Sequence, residues 1–151
     1  MMKLAEALQA RADLNREIEQ LKNRIYNNAL VQEDVNPNED SMELVKEFNK
    51  SVATLQDLII RINMTNCQNQ IEGKTLTEMI AERDCLKIKI EMYKSLVATA
   101  SSNTTRATRT EIKILSTVNV KEIQKKVDRL AKELRLLDNK IQQANWNIEL
   151  V

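Results

Sequence analysis

The chain has no histidine, one glycine, one proline and only 3% aromatic residues among its 151. Lacking histidine, it loses the usual general base of neutral-pH catalysis and the commonest transition-metal ligand, so neither an enzyme nor a metal centre is expected, and no cofactor. The scarcity of aromatics and turn residues removes what strands and their connections are made from, which leaves an all-α fold of long helices. Nowhere does an apolar run approach the ~18 residues of a membrane-spanning helix. Met1-Met2-Lys3-Leu4-Ala5-Glu6 also lacks the apolar core of a signal peptide. A cytoplasmic protein is expected, with a membrane an unlikely partner. The 23 basic and 22 acidic side chains nearly cancel, to a net charge of +1. No global field is left to recruit nucleic acid.

Cysteine is also scarce. Cys67 lies six residues before Gly73 and Cys85 twelve after it. In a helical hairpin turning at Gly73 they are offset by about six residues, or roughly 9 Å of helix rise, which is beyond disulfide reach. The two are expected to be buried, inert thiols in a reducing compartment.

What the chain has in abundance is aliphatic periodicity. Ile123, Val127, Leu130, Leu134, Leu137 and Ile141 recur at steps of four and three, continued by Ala144 and Ile148. This is a heptad seam over about 120–147, and such a seam needs a helical partner. A first helix is expected over about 3–32 with Leu14, Ile18, Leu21 and Ile25 on its seam. Asn28, the next seam residue, either fixes register or marks a helix end. Pro37 sits in a polar loop, and Asp40 with Glu43 offers a helix start. The second helix, about 41–70, places Val45, Phe48, Val52, Leu55, Ile59 and Ile62 in its stripe, with Leu44 and Leu58 widening it; the seam then turns polar at Asn66 and Asn69.

Gly73 suits a left-handed turn beyond that helix, and Thr75-Leu76-Thr77-Glu78 forms a capping box for a third, about 76–100. Arg83 interrupts the third stripe, and an arginine in a seam calls for a partner such as Asp84, Asp13 or Asp57, or for a guanidinium that reaches solvent. A Ser/Thr/Asn-rich linker spans 101–118, with one short strand expected near 111–116 from the alternation of Ile112 and Ile114. Arg106, Arg109 and Lys113 make a small basic patch there without any aromatic platform, so nucleic acid is not an expected partner. Asn119 with Glu122 caps the fourth helix, and Trp146 is expected to cover core. The whole, 1–151, reads as a single elongated antiparallel bundle of four helices.

Met2-Lys3-Leu4-Ala5-Glu6-Ala7-Leu8, Arg11-Ala12-Asp13-Leu14, Leu58-Ile59-Ile60-Arg61-Ile62-Asn63 and Thr65-Asn66 form one set of short strings. Thr75-Leu76-Thr77, Arg83-Asp84, Glu111-Ile112-Lys113, Ser116-Thr117-Val118, Ala144-Asn145-Trp146 and Glu149-Leu150 form another. Together, over nearly the whole chain, they resemble the small bacterial proteins grouped as septicolysins. The resemblance implies a helical, oligomeric bacterial protein and, through the family name, pore-forming toxin activity.

Two further functions follow from the residues themselves. Long apolar stripes around thin helices favour a homo-oligomer, a dimer or a higher assembly up to a hexamer, acting as an interaction or scaffolding module. Alternatively, Asp13, Arg61, Asn63, Asn66, Arg83 and Asp84 are polar residues on or beside seams. If gathered in one cavity, they offer carboxylates, guanidiniums and amides to a small phosphate or carboxylate ligand.

Overall fold

The computed structural model describes residues 1–102 and 112–151. Arg106, Arg109 and half of the expected linker lie outside the described residues. Four helices dominate: α1 (Leu4–Asn27), α2 (Ser41–Gln68), α3 (Leu76–Ser101) and α4 (Val120–Asn147). The all-α expectation holds, and the helix starts at 41, 76 and 120 fall where the capping residues place them. Asp40 accepts from the Met42 amide at 2.9 Å, and Asn119 from the Glu122 amide at 3.2 Å. Each cap satisfies an amide that the helix itself leaves without a partner.

Two local features depart from the sequence pattern. Helix α1 stops at Asn27 rather than near residue 32, because Asn28 terminates it. Its amide side chain donates to the Arg24 carbonyl at 2.8 Å, while its carbonyl oxygen accepts from the Glu39 backbone at 3.1 Å. Asn28 thus ties the helix end to the chain entering α2. The only strands among the described residues are β1 (Gln70–Ile71) and β2 (Lys74–Thr75), an antiparallel pair with Gln70 opposite Thr75 and Ile71 opposite Lys74. Glu72 and Gly73 both take positive φ, 51° and 84°, as a two-residue hairpin turn matched to strand twist requires. A side chain at Gly73 would meet no neighbour, so glycine serves here for its backbone freedom and not for space. The strand expected near 111–116 does not form over 112–116, which take no regular secondary structure and are exposed, while residue 111 lies outside the described residues. A lone strand has no partner for its edges; the Gly73 turn supplies one at 70–75.

The chain divides into two compact units, Met1–Thr75 with Ala144–Val151, and Leu76–Gln143. In the first, α1 packs along α2. The α1 seam runs Leu4, Ala7, Arg11, Leu14, Ile18, Leu21, Ile25, at heptad steps, with Leu4, Ala7, Ile18 and Leu21 buried. On α2 the buried face is Leu44, Ser51, Leu58, Ile62 and Thr65. Ile62 lies in the expected stripe and Leu44 and Leu58 were expected to widen it, but the face is centred on the Leu44 side: Val45 is half-buried, Val52 and Ile59 lie exposed, and Ser51 and Thr65 are buried in their place. The reason is polar. Ser51 donates to Glu17 at 3.4 Å, and Thr65 finds partners described below, so these small hydroxyls sit in the interface at little cost. The segment after α4 closes this unit. Leu4 donates to the Ile148 carbonyl and Leu150 to the Met2 carbonyl, both at 2.9 Å, around a bridge between Lys3 and Glu149.

In the second unit α3 and α4 meet through Leu86, Ile90 and Leu130, flanked by Tyr93, Leu134 and Leu137. Burying a leucine or isoleucine here contributes about 1.5–3 kcal/mol. Val127 and Ile141 are also buried and Ile123 is half-buried, so the α4 seam faces inward along its length. Two side chains expected in the interior are outside it. Trp146 is 60% exposed, because it stands two residues past Ala144 and so off the seam. Cys67 and Cys85 are exposed thiols rather than buried ones, since neither lies on the seam that its helix buries.

Candidate functional site

The six polar residues singled out above sit in different settings. Asp13, Arg61, Asn63 and Asn66 belong to the first unit, Arg83 and Asp84 to the second. Asp13 pairs with Arg16 one turn along α1, at the surface. Asn63 is exposed on α2 and Asn66 half-buried. Arg61 sends one guanidinium nitrogen to Asp57, 3.8 Å away, and donates its Nε to the Val151 carbonyl at 2.8 Å. Arg83 and Asp84 are brought together, Nε to carboxylate 3.3 Å, and the second Arg83 partner is Asp138 of α4 at 3.8 Å. The Arg83 side chain is only 23% exposed. It occupies a seam slot between Met79 and Leu86 and carries its charge out to two carboxylates at the rim.

A further residue, missed by sequence reasoning, organises the Arg61 neighbourhood. Thr65 is fully buried. Its hydroxyl donates to the Arg61 carbonyl at 2.7 Å and accepts from the Val151 amide at 3.0 Å. Arg61 and Thr65, one turn apart on α2, therefore grip both polar groups of the same peptide residue. Lys3 adds a bond from its ammonium to the Asn147 carbonyl at 3.2 Å and pairs with Glu149 at 3.5 Å. Leu150 is buried between these polar contacts. The result is a clamp that reads an extended backbone segment and one apolar side chain, a structural use of residues that sequence alone offered to a ligand.

Of the concavities on this chain, one of about 510 Å³ lies beside the α1–α2 loop and is lined by Arg24, Glu39, Asp40, Glu43, Lys46 and Glu47, among others. The Arg24 and Glu39 side chains pair there in a two-bond fork. That bond holds the Glu39 carboxyl below its ordinary range and the Arg24 guanidinium above its own. Lys46 pairs with Glu43, and the carboxylates Glu39, Asp40, Glu43 and Glu47 outnumber the cations Arg24, Lys46 and Lys50 around the hollow, so it carries no excess of positive charge for an anionic ligand. Another, of about 240 Å³, is lined by Leu96, Thr99, Ala100 and Ser102 of the α3 end and by Ile114–Val118. None of the six polar candidates lines either. In the second unit, Lys126 lies 4.8 Å from the centre of the Tyr93 ring, and its hydrogen bond and charge draw the phenol below its ordinary pKa. Among the described residues no cluster of acidic or cysteine side chains is arranged to hold a metal ion, and no helix is long and apolar enough to cross a membrane.

Outward faces complete the picture. Ile60 and Met64 of α2 and Ile88 and Met92 of α3 are exposed large apolar residues, as is Leu136 of α4.

Fold and surfaces define an all-α protein of paired long helices, with Arg61 and Arg83 engaged by carboxylates and backbone. Residues 11–150 match the model of a family of unknown function, DUF6847, and the chain belongs to that family. The crystal structure of a functionally unknown conserved protein from Corynebacterium diphtheriae is similar, with 38% identity, 99% of each chain covered and a TM-score of 0.94. No curated protein matches. The septicolysin resemblance is thereby corrected. The short strings that suggested it are spread through a chain whose match, almost end to end, is to the DUF6847 family. Pore formation loses its warrant with that resemblance.

Proposed function

We propose that this chain is a non-catalytic, self-associating helical module of the cytoplasm, one that builds or bridges assemblies through its helix faces. The observation that supports this is the set of apolar residues turned outward from α2 and α3, Ile60, Met64, Ile88 and Met92, on helices that each already turn another heptad seam inward. Apolar side chains beyond those needed for the internal core are a burden in water unless another surface covers them. The polar side chains support the same reading: the guanidiniums of Arg24, Arg61 and Arg83 are each engaged by carboxylates or backbone, as register-holding pairs are and as ligand-seeking groups are not. Exposed thiols at Cys67 and Cys85 suit a reducing compartment. Size-exclusion chromatography with light scattering at micromolar concentration tests it. The expected mass is a multiple of 17.4 kDa, and a particle of the single-chain mass refutes it.

A further inference from the structure

Helix α3 carries two heptad seams, one on each side. The first, Leu76, Met79, Arg83, Leu86, Ile90, Tyr93 and Val97, faces inward. The other, Ala81, Cys85, Ile88, Met92 and Ser95, runs at steps of four, three, four and three along the opposite face, and every member is exposed. Ile88 is 67% exposed and Met92 49%. We infer that this outward stripe of α3 pairs in parallel with the α3 stripe of a second copy of this chain, with Cys85 facing Cys85 across the two-fold axis.

The occupant and its direction follow from spacing and charge. With Cys85 and Met92 as a positions and Ala81 and Ile88 as d positions, the flanking g residues are Asp84 and Glu91 and the flanking e residues are Glu82 and Lys89. In a parallel pair, g of one helix meets e of the next heptad on the other. Asp84 then lies against Lys89 of the second copy, and by symmetry the attraction occurs twice. In an antiparallel pair, Glu82 against Lys89 is attractive but Asp84 against Glu91 is repulsive, each occurring twice, and the two cancel. Asp84 has side chain to spare for this: it is 58% exposed while it holds Arg83. A second copy is thus the partner whose charges match the stripe, and parallel is the direction in which they match. The symmetry is isologous, as a closed two-fold contact requires.

This inference rests on the self-association proposed above, and the experiment separates the two. In a Cys67→Ser background, mild oxidation is expected to convert the chain to a covalent dimer through Cys85, resolved on a non-reducing gel. Ile88→Glu, with helix content checked by circular dichroism, is expected to lower the mass seen by light scattering and to abolish the cross-link. Lys89→Asp is expected to weaken association, and adding Asp84→Lys to restore it. A multimeric Cys67→Ser protein that forms no Cys85 cross-link, or whose mass survives Ile88→Glu, overturns the parallel α3 contact and leaves self-association standing. A single-chain mass throughout overturns both.

Discussion

Replacing Thr65 by valine removes one hydroxyl from the buried face of α2 while keeping the shape of the side chain. Two bonds go with it, the 2.7 Å bond to the Arg61 carbonyl and the 3.0 Å bond from the Val151 amide. The first is a back-bond within a helical turn, whose carbonyl also serves the helix ladder, so its loss costs little. The other ties down the segment after α4. A hydrogen bond of that kind contributes about 0.5–1.5 kcal/mol. Val151 is an exposed residue, so water replaces part of what is lost, and a destabilisation of about 1 kcal/mol is expected. In a chain of this length that lowers the melting midpoint by about 2–4 °C, readable by calorimetry. Hydrogen exchange supplies the sharper signature: the amides of Leu150 and Val151 should exchange faster while those of Leu130 and Ile141 do not. Arg61→Gln removes the other half of the grip. Because both act on one residue, the double variant should lose less than the two single losses added together. Thr65→Ser keeps the hydroxyl and deletes a methyl group, so a serine variant that is destabilised beside a silent valine variant would put packing in charge. Unchanged exchange at Leu150 and Val151 in Thr65→Val would refute the clamp outright.

Arg83→Leu fills a seam slot with an apolar side chain and leaves Asp84 and Asp138 in contact with water; thermal unfolding should be unchanged or raised by about 1 kcal/mol, and a lower midpoint would show that the ion pairs supply stability and not register alone. Lys126→Met should return the Tyr93 phenol toward its ordinary pKa in an ultraviolet titration, in which Tyr26 is the other tyrosine. A folded-state phenol pKa held below the unfolded one adds stability that is complete above the unfolded value and fades as pH falls through the folded one. The variant should therefore differ most from the native chain in alkaline solution, and an unmoved titration curve would reject the contact.

Most of the fold was legible because a heptad seam is a one-dimensional signal. On α1 and α4 a single register satisfies the spacing, and on α3 the more apolar of two does; the structure buries each of these. Helix α2 offers two adjacent registers, Leu44-Ser51-Leu58-Thr65 and Val45-Val52-Ile59-Asn66. Hydrophobicity alone favours the register that begins at Val45, since Ser51 and Thr65 are polar. The structure buries the one that begins at Leu44, because Glu17 and the backbone at Arg61 and Val151 satisfy those hydroxyls. Partners 34 and 86 residues away leave no mark in local periodicity. Arg61, one of the candidate site residues, likewise answers a carbonyl 90 residues distant. Cys85 and Trp146 were legible after all, since heptad counting places neither on the seam that its helix buries. A general preference of thiols and indoles for the interior overrode that count.

Why a chain with sufficient internal seams should keep an additional apolar stripe has a physical answer in the thinness of its pairs. Two helices packed along one seam cover each core residue from one side, and several seam members stay half-buried here: Leu14 and Ile25 on α1, Phe48 and Leu55 on α2, Val97 on α3, and Ile123, Leu134 and Leu137 on α4. Such pairs bury less apolar area per residue than a thick bundle, and their margin over chain entropy is correspondingly small. Polar residues in seam slots, Arg11, Ser51, Thr65 and Arg83, reduce it further in exchange for a fixed register. A contact between copies restores the missing area without enlarging either unit's own core. On that account the outward stripe of α3 and the polar seam slots are two halves of one arrangement. The slots fix which residues face inward, and fixing these determines which residues are left to face a second chain. Loosening the register should therefore weaken association even when the altered residue, Arg83, lies on the side of α3 away from the stripe.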